Sequence, residues 1–137
     1  ALKMLVDEGY EVDCFERSDK VGGHWNHDYD FLHLITSKTV TGYEHWPMPD
    51  DYPTFPSKDL MLKYFNMYAE EFKLFERITF NTEVVSCVPL PGEGLPGSNG
   101  WEVTTSDGQT NTYEGVLIAN GHLWDQKIPH WTSNSFR

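Results

Sequence analysis

The spacing of apolar positions changes several times along the chain, and each change marks an element. Leu2, Leu5 and Val6 fall on one helical face and Gly9 stands where a left-handed residue ends a helix, so the opening reads as the back half of a helix. Tyr10 to Phe15 is a short β-branched and aromatic strand, and Ser18 to Gly23 is a loop. From about 58 to 72, Leu60, Met61, Tyr64, Phe65, Tyr68 and Phe72 recur at helical spacing behind Ser57, a residue type that caps helices; this stripe is a core face. Strand patterns follow at Ile78–Phe80, Glu83–Val88 and Trp101–Thr105, with a Gly- and Pro-rich loop over Pro89–Gly100 and a hairpin signal at Asp107-Gly108. The return strand, Thr112–Ala119, becomes continuously apolar at Val116, Leu117, Ile118 and Ala119, the pattern of a buried parallel strand. Between 26 and 56 there is no strong periodicity. Pro47, Pro49, Pro53 and Pro56 favour extended backbone there, and the segment reads as an irregular loop packed over something.

This mixture of strands and helix gives an α/β fold, and 137 residues suffice for one domain with a real core. A formal net charge of −11 argues against a binder of nucleic-acid phosphates, which needs clustered Lys and Arg. No apolar run approaches the roughly 20 residues that span a bilayer, and no stretch resembles a signal peptide, so a soluble, cytoplasmic protein is expected. Cys14 and Cys87 lie far apart in β-type runs and read as two small buried hydrophobes, not as a disulfide or a C-x-x-C redox pair. His24, His27, His33, His45, His122 and His130 show no H-x-x-x-H or H-E-x-x-H spacing on a helix, so no metal site is expected. A serine hydrolase would need a Gly-x-Ser-x-Gly elbow, which the sequence lacks.

The stretch that carries chemistry is Phe15-Glu16-Arg17-Ser18-Asp19-Lys20-Val21-Gly22-Gly23-His24-Trp25. An acidic residue closing an apolar strand, followed by paired glycines, is how dinucleotide-binding folds hold a ribose and a pyrophosphate. In such a fold the acid lies about 20 residues beyond a Gly-x-Gly-x-x-Gly turn. With Glu16 in that role the turn would lie upstream of Ala1, and the chain is expected to be a fragment, marginally stable in isolation. A second signal is Asn120-Gly121-His122 at the end of the apolar strand, since open α/β sheets bind cofactors at the carboxyl ends of their strands.

Together with these, the SK at 37 and 38, WPMPDDYPTFPS at 46 to 57, LMLKYFNMYAEEFKL at 60 to 74, ITFNTEVVS at 78 to 86, GWEV at 100 to 103 and VLIANGHLWDQKIP at 116 to 129 resemble the flavin-containing monooxygenases in order and spacing. The resemblance covers nearly the whole chain. It implies a partial FAD/NAD(P)-binding Rossmann-like domain of the three-layer ββα type, lacking its first strand and glycine turn, with the NADPH-binding domain not present. It implies FAD and NADPH as cofactors, and dioxygen with a small molecule as substrates. NADPH would reduce the flavin, and a flavin C4a-hydroperoxide would pass one oxygen to a nitrogen or sulfur nucleophile or, in relatives, insert it beside a ketone. The remaining partner would be the rest of the parent polypeptide.

Carried over residue by residue, Glu16 would accept hydrogen bonds from the adenosine ribose, with Arg17 beside it; outside this motif it would be an ordinary exposed Glu. Gly22 and Gly23 would bring backbone close to the cofactor, with His24 and Trp25 lying along it, against the alternative of a plain turn needing positive φ. The family commonly has Leu at the position of His24. Thr36, Ser37 and Lys38 would lie near the flavin and nicotinamide. Many members carry Asn where this chain has Ile35, which cannot donate a hydrogen bond, so either Thr36 substitutes or the stability of the oxygen adduct differs. Val84 or Val85 would pack near the adenine, and Ala119, Asn120 and Gly121 would line the flavin side. No catalytic residue is assigned. A non-catalytic, truncated flavoprotein-like binding module is the alternative from another class. A flavin disulfide reductase would need a redox-active cysteine pair that the sequence lacks, and amine oxidases do not share the PMPDDYP and ANGH strings.

Overall fold

The computed structural model describes residues 1–125, 127 and 128. Helix α1 (Leu2–Asp7) leads to strand β1 (Cys14–Phe15); a single 3-10 turn (Gly23–Asn26) and the short helix α2 (Lys38–Thr41) precede the main helix α3 (Lys58–Glu71). A second 3-10 turn (Leu74–Arg77) delivers the backbone to β2 (Ile78–Thr79), followed by β3 (Val84–Pro89), β4 (Trp101–Thr105) and β5 (Thr110–Tyr113). β1 and β2 pair in parallel, Cys14 opposite Ile78 and Phe15 opposite Thr79, while β3, β4 and β5 form an antiparallel meander in that order. This is the expected mixed α/β class, with a parallel layer, a helical layer and an antiparallel layer.

Local chemistry explains the ends of the elements. α1 stops in a Schellman arrangement: Gly9, at φ +85°, donates to the Val6 carbonyl and Tyr10 donates to that of Leu5, both at 3.0 Å. α3 begins where the Ser57 hydroxyl accepts from the Leu60 N–H at 3.5 Å, with Asp59 in the first turn facing the positive end of the helix dipole. Its apolar stripe buries Met61 and Tyr64 to 1% exposure, and these join Met48 and Tyr52 from the long loop in the main core cluster. The Tyr64 hydroxyl fixes that loop, donating to the Trp46 carbonyl at 2.6 Å and accepting from the Tyr43 N–H at 2.9 Å. Asp107-Gly108 makes the β4–β5 turn: Gly108 has φ +85°, and the Asp107 carboxylate accepts from the Thr105 hydroxyl and the Gln109 N–H. Those hydrogen bonds, the Thr105 hydroxyl's first among them, hold the Asp107 carboxyl below the usual carboxylate range.

Two strand expectations change. The strand expected over Tyr10–Phe15 is regular only at Cys14–Phe15, because its one partner among the described residues, β2, is itself two residues long. The strand expected to run on to Ala119 ends at Tyr113. No described strand lies beside Val116, Leu117 and Ile118, which are 37%, 62% and 74% exposed, so the apolar run has no ladder partner among the described residues and forms no regular strand. The segment 26–56 is irregular as expected apart from α2. Lys38 holds it together, its ammonium donating to the carbonyls of Pro49, Asp50 and Tyr52 at 3.0, 2.8 and 2.8 Å.

Candidate functional site

Glu16 lies one residue past β1, and the parallel ladder continues through it. Its N–H donates to the Thr79 carbonyl and its own carbonyl accepts from the Thr82 N–H, both at 3.0 Å, while Asn81 donates to the Ser18 carbonyl at 2.9 Å. The carboxylate is therefore pinned at the carboxyl end of the parallel pair. Ser18 holds one of its oxygens, Oε1, through its N–H and its hydroxyl, each at 2.8 Å. The other oxygen has no hydrogen-bond partner among the described residues. Val84 and Val85 follow Thr82 closely; the register shift between Val84 and Ser86 leaves Val85 unpaired at a bulge, and both valines are exposed.

Gly22 and Gly23 have φ +109° and +50°, and they differ in what surrounds them. A Cβ at Gly22 would stand 2.5 Å from Leu62 Cδ2 on α3 and 3.0 Å from Asn26 Nδ2. That amide is already committed to the Val21 and Gly23 carbonyls at 3.0 and 3.2 Å. A Cβ at Gly23 would meet nothing within 4 Å. Gly22 thus lets the loop pack on the helix, and Gly23 leaves backbone open to another molecule. Trp25 turns inward, edge-on to Phe65 at 6.4 Å and packed against the core cluster, so its indole serves packing. His24 turns outward, its Nδ1 2.9 Å from Asp28 Oδ1.

The crossover at Ala119, Asn120 and Gly121 is exposed, with Gly121 at φ +74°. It reaches the acid-and-glycine loop through Trp124, which lies inside the VLIANGHLWDQKIP string but is not one of the predicted site residues. The Trp124 indole N–H donates to the Asn120 carbonyl at 2.6 Å; Arg17 lies over the ring at 4.2 Å, and His24 and His27 meet it edge-on at 5.4 and 6.0 Å.

Of the predicted site residues, Arg17 and His24 thus meet Trp124, whose indole is tied to the Asn120 carbonyl. The structure does not bring Thr36, Ser37 and Lys38 into that group. The Thr36 hydroxyl pairs with that of Thr41 at 2.6 Å, Ser37 precedes α2, and the Lys38 ammonium is taken up by the loop carbonyls. Ile35 is 95% exposed. Burial first, then the nearby Glu16 charge, pushes the Cys14 thiol up. Both cysteines are free and half-buried.

The family model for flavin-binding monooxygenase-like proteins matches residues 1–136. The protein belongs to that family. Among curated relatives of this monooxygenase-like chain, flavin-containing monooxygenase 5 of Rattus norvegicus is 36% identical over 141 residues, 93% of this chain and 26% of the relative. Dimethylaniline monooxygenase (N-oxide-forming) 2 of Cavia porcellus is 34% identical over 149 residues, 99% of this chain and 27% of the relative. The chain therefore spans about a quarter of the length of the curated relatives it matches. Among solved structures, an oxidized steroid monooxygenase bound to NADP superposes with TM-score 0.79 at 26% identity, covering 93% of this chain and 24% of that one. OTEMO in complex with FAD and NADP gives TM-score 0.79 at 25% identity, with the same two coverages. No described helix of this family member is long and apolar enough to cross a membrane.

Proposed function

We propose that this chain is the FAD-binding part of an NADPH-dependent monooxygenase. The observation that carries the reading is the pairing of a carboxylate oxygen without a partner among the described residues, at the carboxyl end of a parallel strand, with a glycine whose Cβ position meets nothing described. A ribose offers hydroxyl donors to that oxygen, and a dinucleotide lying against Gly23 fills the space a side chain would take. The donor set fits the group. Glu16 holds the ribose, with Oε1 kept in place by Ser18; Gly22 seats the loop on α3; Gly23 lets backbone approach; Ala119, Asn120 and Gly121 line the flavin side; Val84 and Val85 flank the adenine. Trp124 closes the crossover onto Arg17 and His24. When bound, the flavin supplies the redox chemistry that activates dioxygen, and these residues bind it, orient it and limit water around it.

The substrate class in this reading is a soft nitrogen or sulfur nucleophile, supported by the N-oxide-forming relative. Oxygen insertion beside a ketone is the second reading, supported by the likeness to a cyclohexanone monooxygenase with epsilon-caprolactone bound. The test is to purify the protein carrying this chain and record its absorption spectrum before and after NADPH, then after admitting oxygen. A flavin band that bleaches with NADPH and returns with oxygen is expected. Product analysis with an alkyl sulfide and a cyclic ketone in parallel then separates the two substrate classes. A preparation without flavin contradicts the proposal and leaves the non-catalytic module.

A further inference from the structure

The sequence holds two Asn-Gly pairs, Asn99-Gly100 and Asn120-Gly121, and the fold treats them differently. Asn-Gly is the dipeptide most open to intramolecular attack by the following backbone nitrogen, because glycine has no Cβ to obstruct it. Attack needs a carboxamide carbon free to swing toward that nitrogen and a nitrogen whose N–H is not already committed. At Asn99 neither condition holds. Its amide donates to the Pro91 carbonyl at 3.0 Å, the Gly100 N–H donates to the Gly97 carbonyl at 3.1 Å, and Gly100 is buried. At Asn120 both hold among the described residues. The residue is exposed, its carboxamide makes no hydrogen bond, and the Gly121 N–H makes none; only the Asn120 backbone carbonyl oxygen is engaged, by Trp124.

We propose that Asn120 is a site of spontaneous deamidation and that Asn99 is protected from it by the fold. The Gly121 nitrogen bonds to the Asn120 carboxamide carbon, losing its proton to solvent, and the carboxamide's own carbon–nitrogen bond breaks with release of ammonia. Water then opens the resulting cyclic imide on either side, giving aspartate or isoaspartate. Either product places a new carboxylate at the crossover beside the proposed flavin site. No redox change or enzyme is needed, and the inference stands independently of the FAD assignment.

The test is peptide mapping by mass spectrometry of the protein carrying this chain after incubation at mildly alkaline pH, folded, unfolded in denaturant, and folded with added FAD. In the folded protein Asn120 is expected to convert about tenfold faster than Asn99, the ratio given by a barrier difference of ~1.4 kcal/mol. In denaturant the two rates are expected to converge, since both pairs are then free. Equal rates in the folded protein, or an intact Asn120 that converts only when unfolded, would overturn the inference. FAD is expected to slow conversion at Asn120. If Asn120 converts selectively at the same rate with and without FAD, the inference stands and the cofactor reading at the crossover fails.

Discussion

Alanine placed at each of the two loop glycines should separate folding from cofactor binding. At Gly22 a methyl group enters at φ +109°, outside the left-handed well, a strain of about 1–3 kcal/mol. It also stands 2.5 Å from Leu62 Cδ2 and 3.0 Å from the Asn26 amide, adding an overpacking cost of about 1–3 kcal/mol. The Leu62 methyl is the end of a flexible side chain and yields, whereas Asn26 is held by two carbonyls, so the lower part of the range applies: roughly 2–4 kcal/mol in all. At Gly23 the φ of +50° is one that alanine adopts for about 1 kcal/mol, and its Cβ touches nothing. In thermal unfolding of the protein carrying this chain, the fall in Tm should be roughly two to four times as large in Gly22→Ala as in Gly23→Ala, the ratio of the two costs. FAD titration should show the opposite order, with Gly23→Ala losing at least about tenfold in affinity, or ~1.4 kcal/mol. Unchanged FAD affinity in Gly23→Ala would refute the placement of the cofactor against this turn. Equal Tm losses in the two variants would refute the packing argument for Gly22.

Tyr64→Phe removes the hydroxyl that satisfies the Tyr43 N–H and the Trp46 carbonyl, and should cost about 1–3 kcal/mol in denaturant unfolding with little change in m-value. Lys38→Met strips three carbonyls of their shared donor and should leave the 47–53 loop more open to limited proteolysis, with FAD affinity changed less than in Gly23→Ala. Burial, then the hydrogen bond to and charge of Asp13, pushes the Tyr113 hydroxyl up to about 12. The folded state thus holds that proton more tightly than the unfolded state, so the contribution to stability is full below about pH 10 and is lost as pH rises through about 12. Stability measured across that window should fall less steeply in Tyr113→Phe.

What was legible in the sequence was local. α3 announced itself through Ser57 and the i, i+3, i+4 stripe, and the β4–β5 turn through Asp107-Gly108, because caps and turns are decided by neighbours in sequence. The conformation of the acid-and-glycine loop was legible for the same reason: strand, Glu16, Gly22 and Gly23 fall within ten residues. Less legible was whatever depends on a partner far along the chain. The apolar run Val116–Ala119 has the composition of a buried strand, yet composition does not supply a neighbour to pair with. Lys38 read as a site residue by its place in a motif, while its ammonium serves carbonyls 11 to 14 residues away. Trp124 sits in no periodic pattern, and its contact with Arg17 spans more than a hundred residues.

The central claim is that Glu16 holds a flavin dinucleotide by its ribose, and the most direct test is FAD binding to the wild-type protein carrying this chain and to Glu16→Ala. Loss of a charged hydrogen-bond acceptor is worth about 1.5–3 kcal/mol, so the dissociation constant should rise roughly 10- to 150-fold. Equal FAD affinity in the two proteins would contradict the account.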